Sequence, residues 1–505
     1  MEKYLLGIDV GTTGTKTILF STERGMIAGD YMAYGLKAPK VGYSEQDARD
    51  WWRAVVKTVR TVCGDLKNPE QVEAISLSLQ GGTMVPVDKN LEPLRPAIVW
   101  NDGRCQQEAE DFAREFGESY FYEKCGWKLS NGLNALEILW ISRHEPELFA
   151  KTAYFLSVPD YVSAKMTGIP AVDLSDAGIN QLADIQEGNY DSRILEFIGI
   201  REEQLGKIVH SGQVIGPLTR EAALELGLTE HTVLVAGAHD QYAVAVGAGC
   251  NQAGDILIGT GTAWVVTALA REIDFAHGFS QSASAVEGLW GSLVSMTTGG
   301  VCLEWFRKNL ALGEQEEPLT YERINEMAEK SGIGARGVTF YPYFTGCSFP
   351  LRERASKATL LGLDLSHDRF DVARAILEGV AFQIVWILES FQEKFPTSSL
   401  KLAGGATKSS LWCQIIADIS GLPVRVPAVA DLACVGAAVL AGTGSGVFGD
   451  AGEGYKCLAV EEREILPDPE HVKAYAKLFA SYKRGAKELS MFYKNYLQGR
   501  ESVES

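Results

Sequence analysis

The chain has 505 residues, too many for one ordinary core, so two large domains are expected. It is 46% hydrophobic and 22% charged, a globular balance. Its net charge of −18 argues against nucleic acid or an anionic membrane as a partner, since both are bound through basic patches. Nine cysteines occur without a single C-x-x-C pair, and seven histidines are equally dispersed, which speaks against a disulfide framework or a zinc site. The stretch MEKYLLGIDVG lacks the basic start and long apolar run of a signal peptide, and no apolar run approaches a membrane span. A reducing cytoplasm is the expected setting.

In chain order, YLLGID predicts a short buried strand, GTTGT a hairpin turn and KTILFST a second strand. The turn is not a P-loop, because Thr15 separates Gly14 from Lys16, and Gly7, Asp9 and Gly11 do not make a dinucleotide fingerprint. Glycines still allow a tight turn whose N–H groups face one point, and threonine hydroxyls add donors. Asp9 beside a phosphate makes sense if a hydrated Mg²⁺ lies between them. The plain alternative is a Gly-Thr hairpin with a turn aspartate. VEAISLSLQ reads as a helix end followed by a strand, and helices are expected over DFAREFGESYFYEKCG and NALEILWISRHEPELF. HTVLVAGAHDQYAVAVGAG reads as strand, turn and small-residue helix. NQAGDILIGTGTAWVVTAL then repeats the opening theme of strand, Gly-Thr turn and strand, which suggests two related halves, 1–246 and 247–505. RFDVARAILEGVAFQIVWILESFQ predicts a long helix, and SLKLAGGATKSSLWCQIIADISGLPVRVP a strand, glycine turn, helix and strand. The alternation is that of an α/β protein, and one phosphate-type turn in each half suits a nucleotide clamped between two hairpins.

These motifs together resemble the FGGY carbohydrate kinase family, on the two-domain actin-like ATPase (ribonuclease H-like) fold with a cleft between the domains. Asp9, Gly11, Thr12, Thr13, Gly14 and Lys16 match the first phosphate motif, and GTGTAW (Gly259, Thr260 and Gly261 onward) matches the second. Gly300 and Glu304 match the region flanking the phosphates, while Gly404, Gly405, Ala406 and Ser409 match the adenosine motif. LGLDLSHDRFDVARAILEG fits a family signature from Gly362 to Glu378, whereas LNALEILWISRH fits another in part: Trp140 is in place, but Glu137 stands where lysine is usual. The resemblance implies an ATP-dependent sugar kinase with Mg²⁺ held at Asp9. A helix N-terminus after Gly405 suits adenosine or its phosphates, with a plain Ser-capped turn as the alternative.

The resemblance further implies that Asp240 is the general base that takes the hydroxyl proton during phosphoryl transfer. An N-cap role for Asp240 is the alternative, and the neighbouring His239 reads as structural. Gln80, Gly81, Trp100, Asn101, Asp102 and Gln241 are implied at the acceptor, Trp100 through an apolar face and Asp102 through hydrogen bonds to hydroxyls. A solvated turn pair is the other reading of Asp102 and Arg104. Xylulokinases commonly show Gln-Met-His-Gly where this chain has Gln80-Gly81-Gly82-Thr83, and Gln241 stands where they usually carry Asn. The missing side chains are expected to leave room for a different or larger ketose or polyol. Xylulose-like acceptors lead, ahead of gluconate, ribulose, glycerol or another polyol. A non-kinase actin-like ATPase and a silent sugar sensor are the other classes. The oligomeric state is left open, a homodimer included.

Overall fold

The computed structural model describes residues 2–504 apart from 314–316, 393–394, 430 and 459–460. The chain divides into two compact units, one of residues 1–252, 269–292 and 431–460, the other of 253–268, 293–430 and 461–505.

In the first unit, the strand Tyr4–Val10 pairs antiparallel with Gly14–Ser21, which pairs antiparallel with Gly25–Ala33. The other edge of Tyr4–Val10 pairs parallel with Val72–Leu79, which carries Val233–Val235 and Ala238–His239 in parallel. Such strands are buried on both faces, hence the near-continuous apolar runs. Trp51, Val55 and Val59 of the helix Ala48–Cys63 belong to a core with Leu6, Ile8 and Leu77. The helix Leu432–Gly444 packs against Tyr4–Val10, Val72–Leu79 and the helix Asp240–Gly247. That approach is closer than any side chain would allow: a β-carbon on Gly7 would lie 1.9 Å from the Cys434 carbonyl oxygen, and one on Gly436 1.9 Å from that of Ala243. A second core gathers Phe112, Phe121, Leu136 and Ile138 beside a small sheet of Glu45–Gln46, Ala97–Ile98, Met84–Val87 and Tyr154–Ser157.

The second unit repeats the hairpin. Ile256–Thr260 pairs antiparallel with Trp264–Ala270 and parallel with Leu400–Gly404, beyond which lie Val424–Pro427 and Glu462–Ile465. Both hairpins turn through three residues, 11–13 and 261–263, so the repeat seen in the sequence has a structural counterpart. The helix Arg369–Gln392 is buried over most of its length.

Three sequence expectations differ from the structure. Val72–Leu79 is strand throughout, preceded by a single tight turn at Pro69–Gln71. The helix expected over DFAREFGESYFYEKCG is two, Gln106–Phe116 and Glu118–Cys125, broken where Gly117 takes φ 80°. The helix expected over NALEILWISRHEPELF is also two, Asn134–His144 and Pro146–Lys151, parted at Glu145 before the proline. Among the described residues no helix is long and apolar enough to cross a membrane.

Candidate active site

The first hairpin brings its charged groups to one end of the sheet. Asp9 and Lys16 are cross-strand partners. Lys16 Nζ reaches Asp431 Oδ1 at 2.5 Å, at the start of the Leu432–Gly444 helix. Asp9 Oδ1 accepts from Ser78 Oγ at 2.8 Å. Burial pushes the Asp9 carboxyl up to about 6; the charges of Asp240 and Asp431 push the same way, against Ser78 and Lys16. A carboxylate so destabilised among others is where a cation would be welcome. Among the described residues no group of three or more His, Cys, Asp or Glu side chains is arranged to hold a metal ion, so a cation would rely on Asp9, water and ligand oxygens, the arrangement Mg²⁺ prefers.

Thr12 and Thr13 form the turn. Thr12 Oγ1 donates to Gln80 Oε1 at 2.9 Å and accepts from Trp100 Nε1 at 3.1 Å. Gln80 Nε2 donates in turn to Gln46 Oε1 at 3.1 Å. The turn is therefore wired to the residues expected at the acceptor. Gly14 makes room for Tyr31, whose hydroxyl would lie 2.3 Å from a β-carbon there.

Asp240 is the first residue of its helix, not its cap, and its side chain is 41% exposed. Its Oδ1 accepts from Gln241 Nε2 at 3.2 Å. An accessible carboxylate with one oxygen fixed is what proton abstraction needs. Trp100 is half exposed and Asn101 exposed.

Two acceptor expectations meet a different geometry. The Asp102 side chain is fully buried; Oδ1 accepts from the Arg104 backbone N–H and Nε at 2.8 and 2.9 Å, and Oδ2 from Ser44 N and Arg104 Nη2 at 2.5 and 2.8 Å. Its lone pairs are taken, so it braces the loop under Trp100. Gly81 and Gly82 do not leave room. A β-carbon on Gly81 would meet His239, Asp176 and Ile179 within 2.9 Å, and one on Gly82 would meet Leu133 at 2.6 Å, with φ at +68° besides. Neighbouring side chains occupy the volume that the sequence suggested was free.

In the second unit a pocket of about 490 Å³ is lined by Thr260, Gly261, Gly300, Glu304, Gly405, Ala406 and Ser409, while Gly259 and Gly404 lie outside its lining. Gly259 and Thr260 end the strand Ile256–Thr260. Thr260 Oγ1 donates to the Ala403 carbonyl at 2.6 Å and accepts from Ala406 N at 3.1 Å, pinning the Gly404, Gly405 and Ala406 turn to the hairpin. Gly300 N donates to the Gly261 carbonyl at 3.2 Å, an approach closed to any side chain at Gly300. Ser409 caps the helix Ser410–Ser420, accepting from Trp412 N at 3.0 Å, and donates to Asn325 Oδ1 at 3.0 Å. Glu304 is held well below the usual carboxylate range by Arg307 and Tyr321. Tyr321, Asn325 and Trp412 line the pocket and were not singled out from the sequence. Asp431 was likewise missed, since nothing local ties it to Lys16 across 415 positions.

Residues 4–247 match the N-terminal domain of the FGGY family of carbohydrate kinases, and residues 254–445 its C-terminal domain. A xylulose kinase of Bacillus subtilis (strain 168) is 31% identical over 494 residues, covering 95% of this chain and 96% of its own. A gluconokinase of the same organism is 26% identical, covering 87% of each. The crystal structure of xylulose kinase from Rhodospirillum rubrum superposes with a TM-score of 0.89 at 26% identity, covering 97% of this chain and all of that one. These relatives share an activity class and differ in acceptor.

Proposed function

The chain belongs to the FGGY family of carbohydrate kinases and is an ATP-dependent sugar kinase, and we propose that it phosphorylates a hydroxyl of a xylulose-like ketose or polyol with Asp240 as general base. The observation that carries this is the half-exposed Asp240 carboxylate at a helix N-terminus, one oxygen fixed by Gln241. Phosphoryl transfer is chiefly positioning and charge stabilisation, so one carboxylate placed to accept the hydroxyl proton is the main chemical demand on the protein.

The roles divide between the units. In the first, Trp100 offers an apolar face to the carbon chain, Asn101 and Gln241 offer amides, and Gln80, Gly81 and Asp102 frame that wall. The Thr12-Thr13-Gly14 turn and Lys16 serve the transferred phosphate. In the second, the Gly404–Ser409 segment, Glu304 and Gly300 hold the nucleotide, with Gly259, Thr260 and Gly261 at its phosphates. Asp9 would hold a hydrated Mg²⁺, which supplies charge neutralisation at the phosphates. A cytoplasmic setting goes with this reading, as all nine cysteines are free thiols.

The test is ADP release from Mg-ATP with D-xylulose, other pentuloses and hexuloses, pentitols, glycerol and gluconate, run on the protein and on Asp240→Asn. D-xylulose or a close ketose should give the highest kcat/KM, and Asp240→Asn should lower kcat by ~10²–10⁴-fold while nucleotide still binds. A preference for gluconate overturns the acceptor; more than half the activity in Asp240→Asn overturns the base.

A further inference from the structure

The ring of His239 fills the space that a side chain at position 81 would need. A β-carbon on Gly81 would lie 2.7 Å from His239 Cδ2 and 2.8 Å from Asp176 Oδ1. The His239 side chain is 8% exposed, its ring edge-on to Trp127 at 6.3 Å and against Tyr242 at 6.0 Å between ring centroids. The His239 backbone N–H donates to Ser175 Oγ at 2.9 Å, and that hydroxyl donates to Asp173. Main chain and ring are thus both fixed.

From this fixed ring, Nε2 lies 3.5 Å from Asp240 Oδ1, the oxygen that also accepts from Gln241. Among the described residues Nδ1 is buried with no hydrogen-bond partner, and Nε2 is the ring nitrogen that faces Asp240. A spacing of 3.5 Å is loose, as hydrogen bonds at catalytic groups often are before substrate binds. We infer that His239 is a positioning residue for Asp240: its Nε2–H and the Gln241 amide together hold Oδ1, which leaves Oδ2 to receive the proton of the acceptor hydroxyl. Gly81 is the complementary change that gives the ring its place. The inference rests on Asp240 being the base.

The experiment compares His239→Leu, similar in bulk without a donor, with His239→Gln, which keeps an N–H, each in the native and Asp240→Asn backgrounds. Misplacing a reacting group by about 1 Å costs ~10²-fold, so His239→Leu should lower kcat by that order and leave KM for ATP unchanged. His239→Gln should restore most of the loss, and His239→Leu should cost nothing further once Asp240 is Asn. Should His239→Leu not fold, His239→Met carries the same comparison. Full kcat in His239→Leu with Asp240→Asn inactive overturns this inference alone, as do equal losses in Leu and Gln. An active Asp240→Asn overturns the base itself and this inference with it.

Discussion

Glu137 is wholly buried, and among the described residues both its carboxyl oxygens lack a hydrogen-bond partner. Burial, then the charge of Asp102, hold the carboxyl well above its usual range, against Arg104 and Arg95. Its folded value lies above the unfolded one, so the folded state binds more protons between the two. The contribution of Glu137 to stability is greatest below the ordinary carboxylate range and falls by about 1.4 kcal/mol per pH unit as pH rises toward the folded value. Glu137→Gln, which mimics the protonated acid, should therefore match the native protein near pH 4 and melt higher at pH 8. A melting-temperature difference that does not change with pH would refute this. Gly81→Ala should behave oppositely, lowering the melting temperature at every pH, because its new methyl group meets three buried neighbours. The placement of Asp240 between an apolar strand and a small-residue helix was legible in the sequence. The packing of the His239 ring was not, since the direction of a side chain at a strand end depends on what fills the space beside it. Reading Gly81 and Gly82 as an opening failed for the same reason: a missing side chain is a void only if nothing else moves in.

Elements were legible where periodicity was strong and opaque where partners lie far apart. The helix Arg369–Gln392 follows from its spacing of apolar residues, but its buried charges do not. Arg374 Nε meets Glu378 Oε1 at 2.7 Å, Tyr475 donates to the same oxygen at 2.8 Å, and Gly334 N donates to it at 3.0 Å. Tyr475, from the helix Pro469–Glu504, stands 97 positions further on. Arg374→Met would leave Glu378 as a buried charge without its cation, and should cost about 3–5 kcal/mol in chemical denaturation. A loss below 1 kcal/mol would show that Tyr475 and Gly334 suffice. The broken helix at Gly117 shows the converse limit, because an apolar period runs through a glycine without revealing the φ it takes.

On the scale of the whole molecule, the duplicated hairpin was the most readable feature, because three-residue Gly-Thr turns between apolar strands carry their own signature. If the division of labour proposed above is right, hydrogen exchange should separate the two ligands. A non-hydrolysable ATP analogue should slow amides at 300–304 and 405–409, and the acceptor sugar those near 80 and 240. Uniform protection by either ligand would contradict that division. The return of residues 431–460 to the first unit was illegible, since nothing in that segment names its destination. It has a consequence for biosynthesis. The strands Tyr4–Val10 and Val72–Leu79 emerge early from the ribosome, while the helix that covers them ends at Gly444. At 5–20 residues per second their face waits roughly 20–70 s for its cover. A truncated nascent chain thus exposes that apolar face: a fragment ending at residue 252 should aggregate when expressed alone, and co-expression of a peptide spanning 431–460 should return it to the soluble fraction.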